Sequence, residues 1–417
     1  MVILLDKISK AREYAKRHGW RPMLLVALVQ LRSASKSNIS VVAKYDSFIA
    51  PCFGRNIQNQ ELDKKTINWF IPPVGKGSGG HLNIFRFLRN LEYLGYRNRI
   101  VIVGDPQPKS AEVAKQNIHD WFFPLKADIY IDDGSEIPPA FFAMATEWRT
   151  AYFVKRFLSC MRKCYFVQDF EPWFFPVGTD FIFAENTYSF GFYGFTAGTW
   201  LAKKLAEDYG MRTFPLGFSY DRNLYSPNSS EAGIPMKMET QRVFFYARPP
   251  TARRAFELGI LVLREVTRKM PNVSIILAGW DMCSYKIPFK YENAGLVELD
   301  KLGGLYRRCD VALVLSFTNV SLLPIELMAC GVPVVSNRAP YTEWLLDNCN
   351  SVLAGPTIEL LSQAIISVLM DGNISKYLKE SGLKFAQKTS WESEAMSFAE
   401  ELERIANEEY GALLEQE

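Results

Sequence analysis

The chain has 417 residues, of which 48% are hydrophobic, 14% aromatic and 22% charged, and this composition excludes disordered, collagen-like and disulfide-framework proteins. The 48 basic and 45 acidic residues leave a net charge of +3, which argues against a protein that binds nucleic acid over its whole surface. The length predicts two or three domains.

Residues 1–60 are predicted to form an N-terminal helical arm with a surplus of positive charge. Up to Lys44 the chain holds nine Lys or Arg and two acidic residues, or +7, whereas from Trp391 to the end it holds nine Glu and one Arg, or −8. The arm either presents a solvated helix face or contacts an anionic membrane surface or an acidic partner. The net charge therefore hides two strongly charged ends.

Targeting signals and metal motifs are not evident in the sequence. The start has no basic region, and the apolar run from Met23 to Leu31 is about half as long as a membrane span. The seven Cys lack metal-type spacing and there are only three His, so no metal site is expected. We expect a cytoplasmic protein with reduced thiols, at most peripheral to the inner face of the cell membrane.

Residues 61–220 are predicted to form a first α/β domain. Its continuous apolar runs, separated by helix signals, indicate a parallel sheet that is covered on both faces. The strand candidates are 69–72, 99–104, 128–132, 164–168 and 191–198. The helix candidates are 81–94, a segment near Ala140, and 199–209.

Residues 221–242 are predicted to be a linker, because they are rich in Pro, Gly, Ser and Asn. A second α/β domain is predicted over 243–390, and a last helix within 391–417. The strand candidates of the second domain are 243–246, 274–278, 311–315, 332–335 and 351–353, and its helix candidates are 253–269, 302–308, 324–330, 341–346 and 358–370. Open α/β sheets bind ligands at the carboxyl ends of their strands, so the cleft between two such domains is the expected site.

A glycine-rich loop, Gly75-Lys-Gly-Ser-Gly-Gly-His81, lies between the first strand and the first helix. It matches neither a Walker A loop nor the dinucleotide-binding GxGxxG fingerprint. Either its backbone approaches a phosphate or sugar hydroxyl in front of a helix N-terminus, or it only reverses the chain. His81 either points into the cleft or caps the helix.

Two charged segments follow buried strands of the predicted sheets. Asp169 and Glu171 would emerge at the carboxyl end of the first sheet, where paired acids orient sugar hydroxyls, act as a base, or cap the loop. Arg248, Arg253 and Arg254 follow the first strand of the second domain. They either clamp a diphosphate or form a solvated basic helix start, which is unusual because a helix N-terminus disfavours positive charge.

Glu326 lies where a buried strand runs into a loop and a helix begins near Pro324. In the first turn of that helix its carboxylate would face the cleft and accept hydrogen bonds from ribose hydroxyls. A single Glu is weak evidence, but the whole segment from Ser321 to Val335 is specific.

These segments together resemble retaining family 4 glycosyltransferases of the GT-B fold, and more closely the WsaF-type S-layer rhamnosyltransferases. The similar segments are 76–86, 145–152, 165–171 and 325–335, and the resemblance covers about residues 65 to 400. It implies an α/β protein of the GT-B class, in which two Rossmann-like domains face each other across a cleft. It also implies a C-terminal helix that crosses back to the first domain.

The resemblance further implies transfer of a sugar from a nucleotide diphosphate sugar to a growing glycan, without a metal or other cofactor. Glu326 would bind the donor ribose, and Arg248 with Arg253 or Arg254 would neutralise the diphosphate leaving group. The other residues assigned to the donor are Gly79, Gly80, Lys301, Thr318 and Ser321. The residues assigned to catalysis are Asp169, Glu171 and His81, and those assigned to the acceptor are Lys76, Arg86 and Trp148.

Thr318 departs from the family pattern of Glu, seven residues, then Glu, because it stands where the first Glu is expected. A deoxysugar donor such as dTDP-L-rhamnose offers fewer hydroxyls to bind, which agrees with this loss. We therefore expect a retaining rhamnosyltransferase that extends an oligosaccharide or lipid-linked glycan of the cell envelope, such as an O-antigen polysaccharide. The alternatives are a catalytically silent carbohydrate-binding or assembly subunit of the same fold and a nucleotide-sugar epimerase. No nucleic-acid partner is expected.

Overall fold

The computed structural model describes residues 42–57, 61–104, 110–131, 136–228 and 240–408. The chain divides into two compact units, residues 1–50 and residues 51–417. The described part of the first unit holds helix α1 (Ala43–Ile49), in which the rings of Tyr45 and Phe48 meet edge to face with centroids 5.9 Å apart. The basic helices predicted for the arm lie outside the described residues, and so does its pairing with the acidic tail.

The second unit begins with a seven-stranded parallel sheet in the order β3-β2-β1-β4-β5-β6-β7. Its strands are β1 (Thr66–Ile71), β2 (Arg97–Ile102), β3 (Asp128–Ile131), β4 (Ala140–Ala145), β5 (Cys160–Val167), β6 (Tyr193–Ala197) and β7 (Arg212–Leu216). Its helices are α2 (Gly79–Tyr93), α3 (Ala111–Trp121), α4 (Trp148–Arg156), α5 (Thr179–Asn186) and α6 (Thr199–Tyr209). This part of the chain is called the N-terminal domain below.

A second sheet of six parallel strands follows in the order β10-β9-β8-β11-β12-β13. Its strands are β8 (Arg242–Tyr246), β9 (Ser274–Ala278), β10 (Tyr291–Gly295), β11 (Val311–Val314), β12 (Val334–Asn337) and β13 (Val352–Ala354). Its helices are α7 (Phe256–Lys269), α8 (Leu299–Arg307), α9 (Leu323–Ala329), α10 (Pro340–Glu343), α11 (Ile358–Met370) and α12 (Gly372–Lys388). This part is called the C-terminal domain.

Both faces of each sheet are covered, as the continuous apolar strands require. In β1, Trp69 packs on the side of α2, whereas the neighbouring Phe70 belongs to the core on the opposite face. In β8, the neighbouring Phe244 and Phe245 likewise pack into two different hydrophobic cores, one on each face of the sheet. The predicted two α/β domains with parallel sheets are therefore confirmed.

The last helix, α13 (Trp391–Asn407), returns to the N-terminal domain. Its N-terminus is fixed by Ser390, whose side chain accepts a hydrogen bond from the backbone of Ser393. Phe398 then packs among the rings of Trp69 and Phe195, with centroid distances of 5.9 and 4.1 Å. The predicted crossover helix is confirmed.

The prediction of a helix near Ala140 is wrong, because that segment is strand β4 and the helix begins at Trp148. All six side chains of β4 are buried, and a short apolar run of this kind does not separate a strand from a buried helix. Strands β7 and β10 and helices α1, α3, α5 and α12 were not predicted. Pro215 interrupts the pattern of β7, and the half-exposed residues of β10 lack an apolar run.

The predicted linker, 221–242, lies between β7 and β8 except for Arg242, the first residue of β8, and its residues 229–239 lie outside the described part. The other domain boundaries stay predictions. Within the described ranges, no helix combines the length and the apolar character that crossing a membrane requires.

Candidate functional site

The carboxyl ends of the two sheets meet in the second unit, and Asn319 joins them. Asn319 follows β11, and its amide nitrogen donates to the backbone oxygens of Gln168, after β5, and Ala197, at the end of β6 (3.1 and 2.7 Å). Its amide oxygen accepts a hydrogen bond from the indole nitrogen of Trp344 (2.7 Å). The predicted cleft edge is thus a contact between polar groups of both domains.

Asp169 is the carboxylate at this contact. Thr318 Oγ1 donates to Asp169 Oδ2 (2.9 Å), and the backbone nitrogen of Asn319 donates to Oδ1 (2.8 Å). Arg253 Nε lies 3.4 Å from Oδ2 in an ion pair. Burial raises the pKa of Asp169, and the charge of Arg253 opposes this shift. A carboxylate of the N-terminal domain therefore occupies the position beside Thr318.

Three arginines gather at the carboxyl end of β8, as the sequence predicted for a diphosphate site. Arg254 Nη1 donates to Ser316 Oγ (2.8 Å), and burial together with the neighbouring Arg253 lowers the pKa of Arg254 to about 10. The Arg253 guanidinium also lies 3.9 Å from the centre of the Phe174 ring, in a cation–π contact. Arg248 Nη1 donates to the Tyr246 hydroxyl (3.4 Å).

The arginine cluster, defined as Arg248, Arg253 and Arg254, carries more positive charge than its neighbouring carboxylate offsets. Arg248 and Arg253 both disfavour the charge on Arg254, which means that the three cations act on one another. Cations crowded at a strand end attract an anion with several charged oxygens. The role of these residues in donor binding stays a prediction.

Glu326 lies in the first turn of α9, and only 6% of it is exposed. Burial raises the pKa of its carboxyl to about 7, and this shift is opposed by the charge of Arg86 and by the nearby Tyr225 hydroxyl. Arg86 comes from α2 of the N-terminal domain and lies over the Trp391 ring, 5.1 Å from its centre. Arg86, which the resemblance assigned to the acceptor, is thus placed beside the predicted donor residue.

The glycine-rich loop leads into α2, which begins at Gly79 and is capped by Ser78. A Cβ at Gly79 would meet nothing within 4 Å, so space alone does not require glycine there. The carbonyl of Gly80 accepts a hydrogen bond from the Gln168 side chain (3.2 Å), and Lys76 is exposed. The approach of these amides to a donor phosphate and the contact of Lys76 with an acceptor stay predictions.

Both ring nitrogens of His81 lie within hydrogen-bond distance of a partner. Nδ1 lies 2.9 Å from Ser78 Oγ, and Nε2 lies 3.3 Å from the carbonyl oxygen of Pro72. A carbonyl only accepts, so Nε2 carries the proton and Nδ1 accepts from the Ser78 hydroxyl. Burial lowers the pKa of His81, which favours this neutral form. The arrangement agrees with the capping alternative, and a catalytic role of His81 stays a prediction.

Glu171 and Trp148 are buried inside the N-terminal domain and are joined by a hydrogen bond. Glu171 Oε2 accepts from the backbone nitrogen of Trp148 (2.6 Å) and from the Tyr165 hydroxyl (3.1 Å). Burial and the neighbouring Glu147 raise the pKa of Glu171 well above its usual range. Glu171 is 6% exposed and Trp148 3%. A catalytic role of Glu171 and an acceptor contact of Trp148 stay predictions.

In the described structure the hydrogen bonds and the ion pair of Asp169 involve neither Lys301 nor Ser321. Lys301 is on α8 and pairs with the exposed Glu298 at 3.4 Å. Ser321 is half-buried in the loop before α9. Their assignment to the donor stays a prediction. No group of three or more His, Cys, Asp or Glu in the described part of the chain could hold a metal ion.

Sequence reasoning missed four residues of this region: Gly198, Tyr225, Asn319 and Trp344. Asn319 could have been found, because it lies in the loop after a buried strand, as Asp169 does. Gly198 adopts a φ of 84°, and a Cβ there would lie 2.5 Å from the Trp344 ring. No local pattern in the sequence announces that contact, because the two residues belong to different domains.

Comparisons with known proteins agree with this architecture. The family described as "WsaF, C-terminal domain" matches residues 241–366, which include the arginine cluster and Glu326. The O-antigen biosynthesis protein RfbC of Myxococcus xanthus is 33% identical over 341 residues, or 79% of this chain. The chain covers 26% of the length of that relative, or about a quarter.

Solved structures show the same fold at low sequence identity. Sucrose-phosphate synthase from Thermosynechococcus elongatus superposes with a TM-score of 0.62 at 13% identity, over 82% of this chain and 98% of that one. HepE from Anabaena, in complex with UDP and glucose, gives a TM-score of 0.62 at 15% identity, over 81% and 99%. The predicted GT-B fold is therefore confirmed.

Proposed function

We propose that this chain is a glycosyltransferase that moves a sugar from a nucleotide diphosphate sugar to a glycan of the cell surface. One observation carries the proposal: Arg248, Arg253 and Arg254 gather at a strand end of the C-terminal domain, with Asp169 of the other domain against them. The O-antigen role in the name of RfbC and the UDP and glucose bound to HepE support it.

The arginine cluster would act on the diphosphate leaving group. When the bond between the sugar and the phosphate oxygen breaks, negative charge grows on that oxygen. Fixed cations in a partly buried site stabilise this charge without having to reorganise, and this term is usually the largest single contribution to such catalysis. The ion pair with Asp169 and the ring of Phe174 would hold Arg253 in place. No metal would then be needed.

Donor recognition would divide between the two groups of residues described above. Glu326 would accept hydrogen bonds from the pentose of the nucleotide, while Asp169, beside Thr318, would face the transferred sugar. Asp169 already accepts three hydrogen bonds, from Thr318, Asn319 and the backbone nitrogen of Phe170, and forms an ion pair, which leaves it little capacity for further sugar hydroxyls. This favours a deoxysugar, and we propose L-rhamnose from dTDP-L-rhamnose, transferred with retention to an oligosaccharide or lipid-linked acceptor.

The test measures binding and turnover of the purified chain with a panel of nucleotide diphosphate sugars that includes dTDP-L-rhamnose and UDP-glucose. Release of nucleotide diphosphate is followed with and without EDTA, and with cell-surface glycan fractions as acceptors. Arg248→Gln should lower kcat/KM by about 100-fold or more, because it removes a charge from the leaving-group site. Arg264→Gln, an exposed arginine of α7 in the same domain, is the matched control.

Three outcomes count against the proposal. If no nucleotide sugar binds, the chain is not a glycosyltransferase of this kind. Binding without transfer to any acceptor favours the silent carbohydrate-binding subunit, and conversion of the donor alone to another sugar nucleotide favours an epimerase. Loss of turnover on addition of EDTA would remove the metal-independent mechanism while leaving the transfer itself in place.

A further inference from the structure

Four buried polar atoms of three residues converge where the two domains join. They are Arg86 Nη1 and Nη2, Tyr225 Oη and Trp391 Nε1, and none makes a hydrogen bond to any described residue. Arg86 and Tyr225 are each 1% exposed, and Trp391 is 6% exposed. Buried polar groups are almost always hydrogen-bonded, so such a concentration calls for an explanation.

Two of these residues, Arg86 and Tyr225, lie close to Glu326, and Trp391 contacts Arg86. Arg86 is close enough for its charge to be the main force that opposes the raised pKa of Glu326, although no ion pair joins the two side chains in the described structure. The Tyr225 hydroxyl lies next to the carboxylate without reaching hydrogen-bond geometry. Trp391 lies under the Arg86 guanidinium. The cluster, called the hinge cluster below, therefore consists of Arg86, Tyr225, Trp391 and Glu326.

The chemistry of the hinge cluster is unbalanced in a specific direction. Arginine and the indole nitrogen only donate hydrogen bonds, and the tyrosine hydroxyl donates one, whereas the Glu326 carboxylate accepts. An apolar ligand would leave these donors unsatisfied, and a phosphate would be repelled by the carboxylate. A hydroxyl group satisfies both sides at once, because it donates to the carboxylate and accepts from the arginine or the indole.

We infer that Arg86, Tyr225 and Trp391 complete, together with Glu326, a pocket for the pentose hydroxyls of the donor nucleotide. The inference rests on the proposed function, which places the pentose at Glu326, and it moves Arg86 from the acceptor to the donor. Each member comes from a different element: α2, the segment after β7, α9 and α13. The pocket is thus built from both domains and from the two segments that connect them, the one after β7 and helix α13.

The competing explanation is that Arg86 only packs at the domain junction. The two explanations differ in one measurable respect. A packing residue affects every nucleotide to the same degree, whereas a residue that binds the pentose hydroxyl loses its effect when the ligand lacks that hydroxyl. A double-mutant cycle, in which one change is made in the protein and the other in the ligand, therefore separates the two explanations.

The experiment measures Kd by calorimetry for four probes: dTDP, its 3′-deoxy analogue, UDP and 2′,3′-dideoxy-UDP. In the wild-type chain, removal of the hydroxyls should weaken binding about tenfold or more, the range expected for hydrogen bonds to charged groups. Arg86→Met should weaken the binding of dTDP and UDP by about tenfold or more as well, but it should change the Kd of the deoxy analogues by less than about twofold. Arg89→Met, on the same helix against Phe123, should change nothing.

Trp391→Phe keeps an aromatic ring under Arg86 and removes only the indole N–H, so it tests the inference if Arg86→Met fails to fold. It should weaken the hydroxylated probes and spare the deoxy analogues. Equal losses for both kinds of probe in both variants would refute the pentose pocket while leaving the proposed function standing. If the wild-type chain binds none of the four probes, the proposed function fails, and the pocket loses its ligand with it.

Discussion

Replacing Glu326 with Gln should stabilise the fold at alkaline pH while it damages nucleotide binding. The reason is that Glu326 is almost fully buried, and burial disfavours its charged form. Gln has nearly the same shape and no charge at any pH. Glu326→Gln therefore behaves like a permanently protonated Glu326 in the folded chain.

The size of the effect follows from the pKa of Glu326, which burial raises from 4.5 to about 7. A difference of one pH unit between the folded and unfolded pKa is worth about 1.4 kcal/mol, so the ionised Glu326 costs the fold about 3 kcal/mol at pH 8. The attraction of Arg86 is already contained in this pKa. The folded pKa is the higher one, so the stabilisation is complete below about pH 4.5 and is lost as the pH rises through about 7.

Urea denaturation at pH 5.5 and pH 8 measures this directly. The free energy of unfolding of Glu326→Gln should exceed that of the wild type at pH 8, and the gap should grow by about 2 kcal/mol between the two pH values. For Glu400→Gln, at an exposed position on α13, the difference in the free energy of unfolding from the wild type should be the same at both pH values. Calorimetry with dTDP and UDP should show weaker binding to Glu326→Gln at both pH values.

A gap that does not depend on pH would show that Glu326 titrates in the folded chain as it does in the unfolded one. A variant less stable than the wild type at pH 8 would show that the ionised carboxylate is a net stabilising partner of Arg86. Either result would contradict the reasoning that burial dominates at this site.

Two further substitutions test how the domains are joined. Gly198→Ala should lower the free energy of unfolding by about 2–4 kcal/mol in urea denaturation, since the new Cβ meets Trp344 at a positive φ. Gly210→Ala, also at a positive φ but in open space, should cost only about 1–2 kcal/mol, and equal losses would contradict the role of Trp344. Phe398→Ala should cost about 3–5 kcal/mol and should increase hydrogen exchange throughout α13. Met396→Ala, exposed on the same helix, should stay within about 0.5 kcal/mol of the wild type, and an equal effect of both substitutions would contradict the packing of α13 described here.

The sequence predicted those elements whose pattern is decided locally. Strand β9 and helices α6 and α11 have the predicted bounds, because each is a compact apolar run or a regular amphipathic segment between breakers. Strand β4 was mistaken for a helix for the same physical reason, since its six buried residues carry no periodicity. Strand β7 is held in place by its pairing with β6 rather than by its own composition, which includes Pro215.

Site residues could be predicted as far as strand ends reveal them. Asp169 and Arg253 were found because each follows a buried strand, and their side chains do meet. The hydrogen bond between Thr318 and Asp169 joins residues 149 positions apart, so it depends on how the domains close and not on any local pattern. The resemblance assigned Arg86 to the acceptor, and nothing in its own helix indicates that it lies close to Glu326.

The cost of burying these charges argues that they serve a ligand rather than the fold. Removing ionised groups from water is expensive, and apolar residues of similar size at the same positions would often give equal or greater stability. Asp169 and Glu326 are nonetheless buried with pKa values raised by that burial, and Arg254 with a lowered one. The arginine cluster with its partner Asp169, and the hinge cluster, each combine groups from both domains, so their geometry is complete only when the domains are closed. A ligand that contacts both clusters would therefore bind the closed state more tightly than the open one, and its binding energy would supply the closure.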